Sequence, residues 1–356
     1  MAEQTATDVQ DPTARPFPLS VLELGARPPG TAAEDALREV VETAVTADAY
    51  GCHRVWVAEH HSARRTAGGV PSVLIAHIAA ATERIRVGSG GVMLPNHPPL
   101  TVAEQFATLQ ALHPGRIDLG LGRSVGGPAT PDGLLEAALR RDPRAAAEFP
   151  AQIDELLGFL YDRGPEHHRF HALPLTPRAA TPPEVHVLGA SENSARIAAE
   201  RGLPFAYGHH LGRSKCRPVA ADRYRSAFRP AREDAAPYLV VAVNVVCAGT
   251  DEEAEELALR TSAQLAGPPD RPVPETVPST ARERHLARRL LEENQVALGA
   301  PATVAAELAS LADALGADEV MAVPYELNGP ARRRTVRLTA GALDGRRPVH
   351  TSAARR

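Results

Sequence analysis

The sequence predicts an α/β protein built as a (β/α)8 barrel, and three observations carry that reading. Eight apolar, strand-like runs recur along 356 residues, a length that allows one large α/β domain or two smaller ones. Segments with helical spacing separate most of the runs, and strands that alternate with helices build a parallel sheet. The competing open, doubly wound sheet carries a glycine fingerprint after its first strand, and no G-x-G-x-x-G follows the first run here.

The runs are Leu19–Leu24, Arg54–Ala58, Ile85–Leu94, Ile117–Gly122, Glu184–Gly189, Pro204–Gly208, Leu239–Ala248 and Glu319–Val323. After the first, Thr31-Ala-Ala-Glu34 reads as a capping box. Leu37, Val40, Val41, Ala44 and Val45 follow at helical spacing, and Gly51 is the stop. Val70–Thr82 starts with proline in its first turn and is apolar almost all round, so it needs two buried faces. Thr101-Val-Ala-Glu104 is a second capping box, leading into Phe106, Leu109 and Leu112. Ser191 stands as the N-cap of a helix over Ser194–Arg201. Residues 1–18 and 344–356 are polar and read as disordered tails around a barrel domain of residues 19–343. Between Ala266 and Thr280 lies an insertion, GPPDRPVPETVPST, too rich in proline for the interior of a helix or strand. It is a surface connection or an active-site lid.

Bulk composition removes several classes of function. A formal net charge of −4 gives no basis for a nucleic-acid or anionic-membrane partner. Cys52, Cys216 and Cys247 have no CxxC spacing, so neither a disulfide framework nor a structural zinc site is indicated. No apolar run reaches the ~18 residues of a membrane span, and residues 1–18 lack the apolar core of a signal peptide. A cytoplasmic location is expected. Lys215 is the only lysine, and no G-K-[ST] loop exists. A phosphate here falls to arginine, hydroxyls or backbone amides.

In a barrel of this kind the chemistry sits where strands end. The second run ends in Glu59-His60-His61, the third in Pro95-Asn96-His97, and the fourth in Gly120-Leu-Gly-Arg123-Ser124. The fifth ends in Gly189-Ala-Ser191-Glu-Asn-Ser194, the sixth in His209-His210 and the eighth in Pro324-Tyr325-Glu326. So many polar ends favour one shared pocket. Adjacent residues of a strand point to opposite faces, so Glu59, His60 and His61 converge only if the strand breaks. Adjacent histidines suit a zinc site poorly, and H-x-H and H-E-x-x-H are absent, so no metal is expected. Gly90-Gly91 inside the third run marks a bulge, a kink or a close backbone approach.

The strings W-V-A-E-H-H, R-I-R-V-G-S-G-G-V-M-L-P-N-H, H-P-G-R-I-D-L-G-L-G-R and A-A-E-R-G-L-P-F occur in order. Over about Leu19 to Leu343 the chain resembles the bacterial-luciferase-like flavin monooxygenases, and among them the antibiotic-biosynthesis subgroup of the mensacarcin type. The resemblance implies a TIM barrel, FMN delivered reduced (FMNH2), O2 as cosubstrate and a separate NAD(P)H:flavin reductase. It also implies a small organic substrate and a mobile loop over residues 266–280. It places the FMN phosphate at Arg123, Ser191 and Ser194, with Gly189 at the same strand end. Ala190 departs from luciferase itself, which has an acidic residue there. Gly90-Gly91 falls at a non-proline cis peptide against the flavin ring. His60 takes a catalytic place, moving a proton to or from a flavin hydroperoxide or the substrate, with His61 and Glu59 in support. His209 and His210 either line the substrate side or form a polar strand end. A homodimer is expected on Val70–Thr82, through Ala76, Ala79 and Ala80, and its neighbour Thr101–His113, through Val102, Phe106 and Leu109. Rival readings are a deazaflavin (F420)-dependent dehydrogenase, a zinc hydrolase using Glu59, His60 and His97, and a non-catalytic flavin-binding subunit.

Overall fold

The computed structural model describes residues 15–161, 170, 172–231, 233, 235–268 and 280–344. Its strands are β1 (Leu19–Glu23), β2 (Arg54–Val57), β3 (Arg86–Met93), β4 (Ile117–Gly122), β5 (Glu184–Gly189), β6 (Phe205–Tyr207), β7 (Leu239–Cys247), β8 (Ala297–Gly299) and β9 (Glu319–Pro324). All pair in parallel, β1 through β7 in chain order except that β9 stands between β7 and β1 and closes the ring. The expected eight-stranded barrel is present.

The helices are α1 (Ala33–Ala49), α2 (Pro71–Ala81), α3 (Pro99–Leu112), α4 (Leu134–Ala138), α5 (Ala145–Tyr161), α6 (Glu192–Glu200), α7 (Val219–Ala227), α8 (Asp251–Ala266), α9 (Ala281–Asn294), α10 (Pro301–Leu315) and α11 (Gly329–Leu343). Alternation along the strands sorts the core into two shells. Leu22, Trp56, Ala206, Val240, Ala242 and Met321 fill the barrel interior. Their neighbours, such as Val21, Val55 and Val241, face outward into the layer shared with the helices.

β8 is an unexpected element. The nine buried residues of β7 outrun β9, and β8 takes up the ladder at Val245–Cys247. It anchors α8 and α9, which share a small second core including Ala254, Ala258, Ala287 and Leu291. The two capping boxes expected upstream do not form. α1 begins after Ala32 with no side-chain cap. α3 begins at Pro99, because the Pro98-Pro99 pair has its φ preset and no amide to leave unsatisfied. Gly51 does end α1, with φ +67° just past Tyr50. Ser191 does cap α6, accepting from the Ser194 amide. A capping box appears instead at Thr280 and Glu283, opening α9. Most of the proline-rich insertion, residues 269–279, lies outside the described residues.

The expected N-terminal tail is too long by a few residues. Arg15 donates to the carbonyls of Tyr50 and Gly51 at 2.6 and 3.1 Å and pairs with Asp344, while Phe17 is buried. Residues 1–14 and 345–356 lie outside the described residues.

The face expected to dimerise is oriented differently. Ala79 is buried against the barrel, as are Val102, Phe106 and Leu109. Val73 and Ala80 of α2 point outward, and Val70, just before α2, and Leu112, at the end of α3, are exposed as well.

The strand N-termini are sealed by buried charge. Arg54 pairs with Asp118 at 3.0 Å and Glu319 at 2.9 Å, and Asp118 also accepts from the Trp56 indole at 3.0 Å. Fully partnered charges tolerate such burial. With that end plugged, the barrel opens at its C-terminal face among the described residues.

Candidate active site

At that face lies a cavity of about 930 Å³. Its walls are apolar where Leu22, Trp56, Leu188 and Met321 emerge from the barrel interior, and polar where the strands end.

β2 stops at Val57, and the chain then turns. The His60 amide donates to the Gly68 carbonyl at 2.8 Å and the His61 amide to the Gly126 carbonyl at 2.6 Å. Ser62 follows with φ +52°. The three consecutive side chains therefore diverge, and His60 lines the cavity while His61 does not. Glu59 is 2% exposed and acts as a hub. Its carboxylate accepts from His61 Nε2 at 2.7 Å, His97 Nε2 at 2.9 Å and the Met93 amide at 3.0 Å. Burial pushes the carboxyl up, but the bonds from His97, His61 and Met93 outweigh it and hold Glu59 below its ordinary value. The loops after β2 and β3 are thus tied together beneath His60.

The compact trio is Glu59, His61 and His97, not the Glu59, His60 and His97 of the rival zinc-hydrolase reading. Its potential ligand atoms lie within 4.8 Å of one another, and both histidines spend Nε2 on the carboxylate. A second trio, Asp118, Glu184 and His186, lies at the sealed end, where Arg54 and Arg86 occupy its carboxylates.

Burial lowers the His60 pKa below its ordinary value, partly offset by the Leu24 backbone, so the ring is neutral at pH 7. Its Nδ1 is buried without a partner. The second histidine pair is split in the same way. His210 lines the cavity, while His209 packs on the Tyr207 ring at 6.2 Å between centroids. Burial, with the charges of His209, His60 and Lys215, pushes His210 down to about 4.

Gly90 and Gly91 line the cavity, their shared peptide is cis, and the β3–β4 register shifts between Ser89 and Val92. Packing alone requires both glycines. A Cβ on Gly90 would meet Leu22 Cδ1 at 2.5 Å, and one on Gly91 the Gly120 carbonyl oxygen at 2.7 Å. A Cβ on Gly189 would meet Ser194 Oγ at 2.2 Å, so glycine lets that hydroxyl stand against the end of β5. Ser191 Oγ and Ser194 Oγ lie 3.1 Å apart at the start of α6, and both residues line the cavity with Ala190. Arg123 stands on the same wall, and its guanidinium has no partner among the described residues. Arg141 grips the carbonyls of Arg123 and Ser124 at 2.8 and 2.9 Å. Hydroxyls, first-turn amides and an uncommitted arginine are donors that suit a phosphate, and the apolar walls suit a flat ring. The residues present fit FMN.

Sequence reasoning placed His97 at a strand end but missed its bond to Glu59. It also missed Trp56 and Met321 as cavity walls, since they read only as strand interior.

Comparison with known proteins agrees with this architecture. The sequence profile of the luciferase-like monooxygenases matches residues 19–319. The uncharacterized protein YwcH of Bacillus subtilis is 39% identical, over 91% of this chain and 98% of its own. The N-acetyl-S-alkylcysteine monooxygenase of the same organism is 38% identical, over 67% of this chain and 70% of its own. Among solved structures, apo-MsnO8 superposes with a TM-score of 0.77 and 33% identity, covering 92% of this chain and 97% of that one. Two more distant structures share the fold. They are the oxygenating constituent of 3,6-diketocamphane monooxygenase from Pseudomonas putida, in complex with FMN (TM-score 0.66, 20% identity, 92% of this chain and 98% of that one), and an F420-dependent secondary alcohol dehydrogenase (TM-score 0.61, 13% identity, 92% of this chain and 99% of that one). The chain belongs to the luciferase-like monooxygenase family.

Proposed function

We propose that this chain is the oxygenating component of a two-component flavin monooxygenase, receiving FMNH2 from a separate NAD(P)H:flavin reductase and transferring one oxygen atom of O2 to a small organic substrate. One observation supports this reading above the others: a single cavity joins a neutral His60, whose Nδ1 is buried without a partner, to Arg123, Ser191 and Ser194 across an apolar floor. When bound, the reduced flavin supplies the electrons that activate O2. The chain's own residues do the rest. Arg123, the two serines and the α6 amides hold the phosphate. Leu22, Trp56, Leu188 and Met321 keep water from the ring, which matters because oxygen chemistry on flavin is diverted by water. His60 accepts or donates a proton through its ring nitrogens, and Glu59, with His61 and His97, positions the loop that carries it.

A deazaflavin-dependent dehydrogenase is the runner-up, since the fold also serves F420 in a distant neighbour. The substrate is a thioether of the N-acetyl-S-alkylcysteine kind that one relative's name gives, or a secondary metabolite of the antibiotic kind that the resemblance implies. Three free buried cysteines suit the cytoplasm, and no helix among the described residues is long and apolar enough to cross a membrane. We place the homodimer on the outward face of α2 and α3, where Val70, Val73 and Leu112 are more than half exposed.

The two-component reading is tested by mixing the protein with FMN and NADH. No NADH oxidation is expected until a flavin reductase is added. Oxidation by this chain alone would contradict it.

A further inference from the structure

Lys215, the one lysine among 39 basic residues, lines the cavity. It sits in the loop after β6, and that loop is firmly held. The Cys216 thiol donates to the Gly208 carbonyl at 3.1 Å and the Cys216 amide to the Gly212 carbonyl at 2.9 Å. The Arg213 and Ser214 amides donate to the Glu293 carbonyl and carboxylate, each at 2.8 Å. The Arg217 amide donates to the Ala190 carbonyl at 3.1 Å, next to Ser191. Lys215 is two residues away from that bond, ~7 Å of extended chain, a gap its own side chain can close.

The remaining cations of the wall are differently placed. Arg65 is committed to the carbonyls of Leu265, Gly267 and Pro268 at 3.0, 2.7 and 2.7 Å. Arg64 is on the same loop after β2, three strands from β5 in the barrel. Arg123 follows β4 and Lys215 follows β6, so they flank the step from β5 into α6. Neither side chain has a hydrogen-bond or ion-pair partner among the described residues. A phosphate monoester carries about −1.5 to −2 at pH 7. The α6 N-terminus offers about +0.5, so Arg123 alone leaves a dianion under-compensated.

We propose that Lys215 is the second cation of the phosphate cup, facing Arg123 across the start of α6, and that the pair selects a dianionic phosphate monoester over an uncharged flavin or a phosphodiester. This rests on the flavin reading above and sharpens it. Deazaflavin cofactors carry their phosphate as a diester with one charge, so a second cation there favours FMN.

The test titrates the full-length protein with FMN, riboflavin and riboflavin 5′-(methyl phosphate), following flavin fluorescence at fixed salt and pH 7.5. Wild type is expected to bind FMN most tightly and riboflavin least. Lys215→Met should weaken FMN by about 10-fold or more, the scale of one charge-assisted contact. It should leave riboflavin within about 2-fold and erase most of the preference for FMN over its methyl ester, and Lys215→Arg should restore that preference. Unchanged FMN affinity in Lys215→Met, beside a wild type that prefers FMN to riboflavin, overturns the inference alone. Equal weakening of all three flavins overturns it too, by placing Lys215 in loop folding. A wild type that binds no FMN overturns the flavin reading and this inference together.

Discussion

Replacing Glu59 probes the hub that holds the site in shape. In Glu59→Ala the Met93 amide, His61 and His97 lose an acceptor at 3.0, 2.7 and 2.9 Å. The two imidazoles are 19% and 34% exposed, so water replaces their partner in part. The Met93 amide and the emptied volume then carry most of the loss, about 3 kcal/mol. Glu59→Gln is milder. Its carbonyl can accept from Met93 while its amide donates to both imidazoles, each switched to the other tautomer, so only the charge assistance goes, about 1–2 kcal/mol. The pH dependence separates the two roles of the carboxylate. Its folded-state pKa is depressed, so its stabilisation is complete above its ordinary value of 4.5 and is lost as pH falls through the lower folded value. Wild type and Glu59→Gln should therefore converge in stability as the solution is acidified below 4.5. Urea unfolding of the full chain across pH measures all of this. A Glu59→Ala protein within about 0.5 kcal/mol of wild type at pH 7 would refute the hub, since surface changes fall in that range.

His60→Ala should lower oxygenation by about 100-fold or more with FMN binding near wild type, the scale of a lost acid–base group. Because burial depresses its pKa, activity that needs neutral His60 should persist below pH 6.5 and fall as pH drops through the lowered value, as a pH–rate profile would reveal. Arg123→Ala should weaken FMN by about 10-fold or more while barely changing riboflavin, and equal weakening of both in a fluorescence titration would place Arg123 away from phosphate. Sedimentation at micromolar concentration should find a dimer, with Ala80→Arg shifting it to monomer at unchanged thermal stability. A monomeric wild type would refute the assembly.

The barrel was legible because alternation along a strand is a short-range signal, and each strand end could then be read for polar groups. Helix starts were harder. Thr101 and Glu104 have capping-box spacing, yet Pro98-Pro99 starts α3 upstream, since a preset φ outweighs a side-chain cap. The inward face of α2 could not be read at all. A helix that is apolar all round has no preferred side in sequence, which is how Ala79 passed for an interface residue while packing on its own barrel. Glu59 and His97 are 38 residues apart, and only the closed ring brings β2 and β3 ends together. Arg54, Asp118 and Glu319 belong to three runs far apart in sequence, and their buried cluster depends wholly on register. Of the candidate site residues, His60, Arg123, Ser191 and Ser194 line one cavity, as their strand ends suggested. Which of His209 and His210 faces the cavity was not legible.

The central claim is that this cavity holds reduced FMN and governs its reaction with oxygen. Rapid mixing of the protein–FMNH2 complex with O2, followed by full-spectrum absorbance, tests it most directly. Reoxidation is expected at a rate different from that of free FMNH2, through a transient spectrum belonging to neither reduced nor oxidised flavin, with that transient lost in a protein that cannot bind the phosphate. Reoxidation indistinguishable from free flavin at saturating protein would contradict it.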